Sequence, residues 1–490
     1  MIIVGRKKEQ RKLNDMFDSG AAEFFAVYGR RRVGKTYLIR TFLKQKKCFY
    51  FQLSGEKHSN VSQQLKNFSL SMAETFYDKH LVLETPNTWH DAFQLLTQVM
   101  QEKVKKGKIV LFFDELPWLA SPKSNFLSAL DFYWNRYWVD MPHLKLIVCG
   151  SAASWMIKNI IRNRGGLHNR LTGRIRLEPF NLKETQQFLS EKYPHINNAQ
   201  LLQIYSVMGG IPHYLKLLDA KLSITQNIDK LFFSADGELL GEFDELFSSL
   251  FSAADAYEEI VSMLSQHPHG LSRQNLLAKL TLSSDGGNFN KKILALIEAG
   301  FVIELGSYGR PERLLTYRLI DEYSNFYLHW VLPKRKTIQR MKELREHWQV
   351  ISKTGEFHAW RGISFEMMCY QHVLTICKAA AVAQVNFMGN WSYIPKASDK
   401  KSGAQIDLVF DREDDTITLC EIKCTDKPFA ITKKYAEELR SKLKIFREET
   451  KTKKHIVFLL LSAHGMQENA YSKELVNWSI SLDDMLAHCE

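Results

Sequence analysis

The chain has 490 residues, 45% apolar and 24% charged, which excludes a disordered protein and, at about 150 residues per domain, leaves room for about three domains. Its 66 Lys and Arg against 54 Asp and Glu give a net charge of +12, a weak pointer to polyanionic partners. No apolar run reaches the ~18 residues of a membrane span, MIIVGRKKEQRKL lacks a signal peptide's apolar core, and the seven scattered cysteines form no CxxC pair. These features predict a cytoplasmic protein with no membrane partner, no disulfide framework and no structural zinc.

From the N-terminus, short β-branched or aromatic runs alternate with longer helical patterns over residues 1–220. Strands are expected at 24–28, 48–53, 109–113, 146–150 and 174–177. That alternation predicts an α/β parallel sheet covered on both faces.

The first strand runs into Gly29-Arg30-Arg31-Arg32-Val33-Gly34-Lys35-Thr36, which fits GxxxxGK[ST], and a helical stretch beginning at Lys35 leaves it. Strand, glycine loop and helix in that order form a phosphate loop. Backbone N–H groups curl around the phosphates, and the helix N-terminus adds a favourable dipole. Lys35 is assigned to the β- and γ-phosphates of ATP and Thr36 to Mg²⁺; Tyr37 borders the nucleotide. About 80 residues later, the apolar strand at 109–113 ends in Asp114-Glu115, a Walker B arrangement. Asp114 is read as holding Mg²⁺ through water, and Glu115 as orienting or deprotonating the attacking water. Ser151, which ends the next buried strand, is either a sensor of the γ-phosphate or a helix N-cap. An arginine cluster follows. Arg170 and Arg174 are the first choices for an arginine finger, with a solvated basic loop as the alternative. The aromatic run ALDFYWNRYW, with Phe132, Tyr133, Trp134 and Trp138, reads as a buried helix face.

Together the segments IIVGRKKEQRKL, VYGRRRVGKTYLI, LFFDELPWLA, LIVCGSAASWM, RIRLEPFNLKET and GGIPHYL resemble the archaeal-type ATPase family of the AAA+/STAND P-loop class. The resemblance covers residues 1–220 in the family's order. It implies an ATPase core at 1–180, a helical lid at 181–250, and a winged helix, often followed by a nuclease domain.

Residues 251–332 show the matching order of helix, turn, helix and wing. Gly270-Leu271-Ser272 is a turn that caps a helix at 273–280, and a further helix at 288–300 stops at Gly300. Strand-like runs at 301–305 and 314–319 flank the wing loop. Asn288, Asn290, Lys291 and Lys292 are expected to face a DNA major groove, with Arg310 and Arg313 on the wing. The alternative is a winged helix used for packing or oligomer contacts. Residues 333–354 read as a basic linker or helix.

Over residues 355–490 the α/β alternation returns, with strands expected at 405–410, 416–422 and 455–461. Asp407 is separated by 13 residues from Glu421-Ile422-Lys423, giving D…ExK on neighbouring strands. Residues two apart in a strand share a face, so Glu421 and Lys423 point together and Asp407 can join them. Glu366 on an upstream amphipathic helix offers a further carboxylate. Such a set suits a divalent-cation phosphodiester site. Asp407 and Glu421, with the Ile422 carbonyl, are assigned to Mg²⁺ or Mn²⁺. Lys423 is assigned to orienting the nucleophile or stabilising the pentacovalent phosphate. Residues 355–480 resemble the PD-(D/E)xK nuclease superfamily, although Ile406 stands where the motif's proline would be. The resemblance implies a restriction-endonuclease-like mixed sheet flanked by helices.

The combined expectation is an ATP-dependent or ATP-regulated DNA nuclease acting on DNA, with homo-oligomers allowed. The competing readings are a STAND-like switch whose C-terminal domain binds DNA or a partner without cutting, and a translocating motor, which a single ATPase core permits only as an oligomer.

Overall fold

The computed structural model describes residues 2–489, except 78–80, 163–166, 168, 252, 282–285, 312–314, 345, 383 and 396–401. The chain divides into two compact units, Met1–Pro179 and Phe180–Glu490.

In the first unit, five parallel strands form a sheet in the order β2-β3-β4-β1-β5. They are β1 (Glu23–Tyr28), β2 (Phe49–Ser54), β3 (Ile109–Asp114), β4 (Leu144–Gly150) and β5 (Gly173–Arg176). Every residue of β3 and β4 is buried, as expected of central strands covered by helices on both faces. The core joins strand residues Phe51, Leu111 and Phe113 to Phe68, Trp89 and Phe93 of the helices Val61–Phe76 and Trp89–Lys103. Of the aromatic run, Tyr133, Trp134 and Trp138 are buried, but Phe132 and Tyr137 are 45% and 38% exposed. The chain is π-helical over Trp134–Trp138, so the run spreads around the helix instead of forming one buried stripe.

The second unit begins with short helices, three of which open with reciprocal capping boxes, at Asn181, Asn197 and Ser223. A small sheet follows, ordered β6-β8-β7, from β6 (Leu271–Ser272), β7 (Val302–Leu305) and β8 (Thr316–Leu319). Ser272 caps the helix Arg273–Lys279 by accepting from the Asn275 N–H. The helices Ala254–Ser265 and Gly286–Glu298 accompany it, one before β6 and one between the helix Arg273–Lys279 and β7. The basic stretch after it contains a short helix, Arg335–Met341.

The C-terminal sheet has the order β15-β13-β11-β10-β9. Its strands are β9 (Val385–Tyr393), β10 (Ala404–Arg412), β11 (Thr416–Lys423), β13 (His455–Ser462) and β15 (Trp478–Ile480). A two-residue ribbon pairs β12 (Phe429–Ala430) with β14 (Met466–Gln467). Strands β9, β10 and β11 pair antiparallel, and β11, β13 and β15 pair parallel, so the sheet is mixed. The helix Lys433–Thr450 packs Leu439 and Phe446 against Ile417 and Leu419 of β11. Strand β9 was not among the expected strands. Its alternating Val385, Phe387, Trp391 and Tyr393 carry the period of two, but Gly389 and Asn390 interrupt it.

Candidate functional site

The nucleotide site is built where β1, β3 and β4 end side by side. Gly34 adopts a left-handed conformation (φ +92°) and starts the helix Lys35–Lys44. Gly29 has φ +150°, and a Cβ there would lie 2.1 Å from the Leu177 carbonyl oxygen. Gly29→Ala is therefore expected to destabilise the domain by about 1–3 kcal/mol and to weaken ATP binding sharply. Thermal unfolding with and without ATP checks this; an unchanged Tm and ATP affinity would contradict it.

Lys35 is buried, and its Nζ donates to Gly29 O (3.0 Å), Arg30 O (2.8 Å) and Ser151 Oγ (3.0 Å). Burial holds its pKa below the usual lysine value. Thr36 Oγ1 donates to Asp114 Oδ2 at 2.8 Å, bringing together the two groups assigned to Mg²⁺. A hydroxyl and a carboxylate at that separation are donors that suit this hard cation.

Glu115 is the first residue past β3 and has φ +48°, a left-handed conformation uncommon outside glycine. Ser151 Oγ donates to Glu115 Oε1 at 2.7 Å, and the Ser151 N–H donates to Oε2 at 3.2 Å. Lys35, Ser151 and Glu115 thus form one chain of hydrogen bonds. The helix that follows Ser151 starts after Ala152 with no side-chain cap, so Ser151's hydroxyl serves Glu115 rather than a helix end.

The remaining loop residues divide by burial. The side chains of Arg30 and Val33 are buried; Tyr37 is 47% exposed and donates to Ile2 O. Arg31 and Arg32 are half-buried, and Arg32 takes φ +71°. Arg170 is exposed, as is Arg174, whose carbonyl accepts from Lys12 at 3.5 Å. Within the first unit, neither is shown in contact with Glu115, Asp114 or Lys35.

The second site lies in the C-terminal sheet. A register shift in β10 between Ile406 and Val409 places Asp407 at a bulge, a feature that re-aims side chains. Its Oδ2 accepts from the Ile422 N–H at 2.9 Å, next to the Leu408–Cys420 pair of β10 and β11. Glu421 is buried and surrounded by donors. Tyr435 OH reaches Oε2 at 2.9 Å, Lys442 Nζ reaches both oxygens at 2.8 and 2.9 Å, and Lys423 Nζ lies 3.5 Å away. Burial raises the Asp407 carboxyl to about 7, helped by the nearby charges of Glu421 and Glu366. Burial and the same Glu421 push the Tyr435 hydroxyl well above its ordinary value. Among the described residues no three His, Cys, Asp or Glu side chains form a ready cluster for a metal ion. The two carboxylates with the Ile422 carbonyl still fit a hard divalent cation that retains water ligands.

Lys442 was missed in the sequence. Its signal is the spacing of Tyr435, Glu438 and Lys442, positions i, i+3 and i+7 on one helical face beneath β11.

Lys292 is placed otherwise than expected, and Glu366 has a partner that the sequence did not offer. Glu366 Oε1 accepts from Arg318 Nη1 at 2.7 Å, both side chains are buried, and the Glu366 charge still reaches Asp407. Lys292 does not face solvent, because it lies on the same stripe as the buried Phe289, Ile293 and Leu296 and is 7% exposed. Asn288, Asn290 and Lys291 are exposed, and Asn290 Oδ1 accepts from Arg273 at 2.9 Å. The loop between β7 and β8, expected to be the wing, is docked. Tyr308 N–H donates to Asn390 O (2.8 Å) and Asn390 N–H donates to Gly306 O (3.2 Å), tying the loop to the edge strand β9. Gly389 permits this approach, since a Cβ there would meet Gly306 O at 2.2 Å. Pairing the loop with β9 covers an otherwise open sheet edge. Arg310 is exposed on that docked loop; Arg313 lies outside the described residues.

Among the described residues no helix is long and apolar enough to cross a membrane.

The profile of an ATPase domain predominantly from Archaea matches residues 3–218. An uncharacterised protein of Methanocaldococcus jannaschii is 24% identical over 456 residues, covering 91% of this chain and 92% of its own. A second protein of that organism, described as ATP-binding, is 45% identical over 47 residues, 10% of this chain and 80% of its own. Among solved structures, the Walker-type ATPase of Pyrococcus abyssi aligns over 66% of this chain and 96% of its own, with a TM-score of 0.49 and 19% identity. The Aeropyrum pernix ORC2 protein aligns over 69% and 95%, with a TM-score of 0.45 and 14% identity. Residues 3–218 of this chain are an archaeal-type ATPase domain with a nucleotide-binding P-loop.

Proposed function

We propose that this protein is an ATP-dependent or ATP-regulated DNA-binding protein whose C-terminal domain cleaves the phosphodiester backbone with a divalent cation. In the ATPase domain, Lys35 binds the β- and γ-phosphates, Thr36 and Asp114 hold Mg²⁺, and Glu115 orients the attacking water. Arg170 and Arg174, both exposed, are suited to completing the site of a neighbouring copy in a homo-oligomer. Asn288, Asn290 and Lys291 present the exposed polar face of the winged helix to duplex DNA.

The observation that carries the nuclease reading is the Asp407 carboxyl at the β10 bulge, which accepts from the Ile422 N–H, the residue next to Glu421. The charge of Glu421 acts on Asp407 although Lys442 already pairs with Glu421, and a divalent cation beside Asp407 would relieve that repulsion. When bound there, the cation supplies charge neutralisation and activation of water. Lys423, on the same face of β11 as Glu421, orients the nucleophile or stabilises the developing phosphorane charge.

One observation favours a second reading, an ATP switch that binds without cutting. The wing loop is docked on β9, which suits a packing role for the winged helix.

The test is cleavage of plasmid and linear DNA with Mg²⁺ or Mn²⁺, with and without ATP, for the wild type, Asp407→Ala and Lys35→Ala. Cleavage lost in Asp407→Ala is expected, and a loss or change of ATP dependence in Lys35→Ala shows gating. If ATP is hydrolysed but no DNA is cut under any condition, the nuclease reading fails and the switch takes its place.

A further inference from the structure

Arg318 occupies an unusual place. It lies on β8, the second strand of the winged helix, yet its side chain is 2% exposed and ends beside the carboxylates of the C-terminal domain. Nη1 donates to Glu366 Oε1 at 2.7 Å. The guanidinium carbon stands 5.0 Å from the centre of the Tyr370 ring, and Tyr370 OH in turn donates to the carbonyl oxygen of Asp407. Nε and Nη2 are buried with no hydrogen-bond acceptor among the described residues. A buried cation with spare donors is a costly feature for packing alone, since an apolar side chain would fill the same space without that penalty.

Glu366 and Tyr370 lie one turn apart on the helix Gly355–Gln371, so Arg318 meets both on one helical face. The tip of the same winged-helix hairpin is fixed to β9 through Gly306, Tyr308 and Asn390. Tyr308 also stacks on Phe446 of the helix Lys433–Thr450, with ring centres 5.6 Å apart. The wing is therefore held at two points, and Arg318 is presented from a fixed strand.

We propose that Arg318 is a positioning residue for the C-terminal carboxylate site: it holds Glu366 in an ion pair and so holds down the affinity of Asp407 and Glu421 for a divalent cation. This inference rests on the divalent-cation reading of Asp407 and Glu421. Its physical basis is charge. The guanidinium neutralises Glu366, and as a fixed positive charge near the pair it opposes the entry of a second cation. Releasing Glu366 adds an anionic oxygen donor to a site that otherwise has two carboxylates, and each added carboxylate strengthens the binding of a hard cation. The winged helix thereby sets how readily the neighbouring site fills.

The test is Mn²⁺ binding to the full chain, followed by calorimetry and by the electron paramagnetic resonance of free Mn²⁺, without nucleotide. Arg318→Met is expected to tighten Mn²⁺ binding at least about tenfold, equivalent to about 1.4 kcal/mol. Arg318→Lys keeps a cation at the position and is expected to stay within about threefold of the wild type. Adding Glu366→Gln to Arg318→Met is expected to remove the gain. A purely structural pair would show none of this pattern: loss of packing weakens or leaves unchanged the binding of metal, and does not tighten it. Unchanged or weaker binding in Arg318→Met overturns the inference. Should Arg318→Met fail to fold, Arg318→Gln takes its place, because it keeps a donor for Glu366 but removes the positive charge, and it is expected to tighten Mn²⁺ binding. Unchanged or weaker binding in Arg318→Gln then overturns the inference. Asp407→Asn separates the two levels of the argument. If Mn²⁺ binding does not depend on Asp407, the cation reading itself is wrong, whatever Arg318 does.

Discussion

Asp407→Asn is expected to abolish cation-dependent DNA cleavage, by about a thousandfold or more, and at the same time to stabilise the cation-free protein at pH 8. Both effects come from the same carboxyl. Asparagine keeps the volume and an oxygen for the Ile422 N–H, but it lacks the charge that binds a divalent cation. The Asp407 carboxyl is raised to about 7 in the fold, chiefly by burial and then by Glu421 and Glu366. A raised carboxyl binds its proton more tightly in the folded chain than in the unfolded one. Stability is therefore fully present below the unfolded value near 4 and is lost as pH rises toward 7. The upper bound on that loss is about 4 kcal/mol. Asparagine does not ionise and escapes it. Thermal unfolding at pH 5 and pH 8, with and without Mg²⁺, checks the claim. The wild type is expected to gain more from Mg²⁺ at pH 8 than at pH 5, and Asp407→Asn to gain little at either. A variant less stable than the wild type at pH 8 without Mg²⁺ would show that the Asp407 charge is already compensated by its neighbours.

Glu115→Gln is expected to lower ATP turnover by about 10²–10⁴-fold while ATP still binds. Glu115 is held at both oxygens by Ser151, through the hydroxyl at 2.7 Å and the N–H at 3.2 Å. Glutamine preserves the size and one acceptor but loses the charge that attracts a proton from water. Lys35 and the Thr36–Asp114 pair, proposed to bind nucleotide and Mg²⁺, keep their own hydrogen bonds in this variant. Single-turnover hydrolysis together with fluorescent-nucleotide binding separates the two quantities. An equal loss of binding and turnover would mean that Glu115 holds the loop's shape through Ser151 and does not act on water. Ser151→Ala is the companion measurement: it removes one hydrogen bond to Glu115 and one to Lys35 and is expected to slow hydrolysis less than Glu115→Gln.

The two sites differ in how much of them is local in sequence. The phosphate loop is written within eight residues, because strand, glycine turn and helix follow each other directly and each step has its own residue preferences. The Asp114–Glu115 pair stands at the end of a fully apolar strand for the same reason. These short-range rules fix the order of elements and the residues proposed to touch nucleotide, and they place Asp407, Glu421 and Lys423 on neighbouring strands.

Tertiary structure decided the partners. Glu366 reads as one more acid for the proposed cation site, but Arg318, 48 positions earlier, pairs with it within the second unit. Lys442 reaches Glu421 only because a helix lies beneath β11, and nothing near Glu421 in the chain announces it. Lys292 looks like a groove-facing lysine in a polar stretch, yet helical geometry puts it on the buried stripe with Phe289 and Ile293. The wing loop looks free until β9, whose own period is broken by Gly389, offers it an open edge. What the sequence by itself determined is therefore the chemistry carried by each local motif. Which charges meet, and which are taken out of the site, depended on contacts between distant segments, where burial makes every charge find a partner.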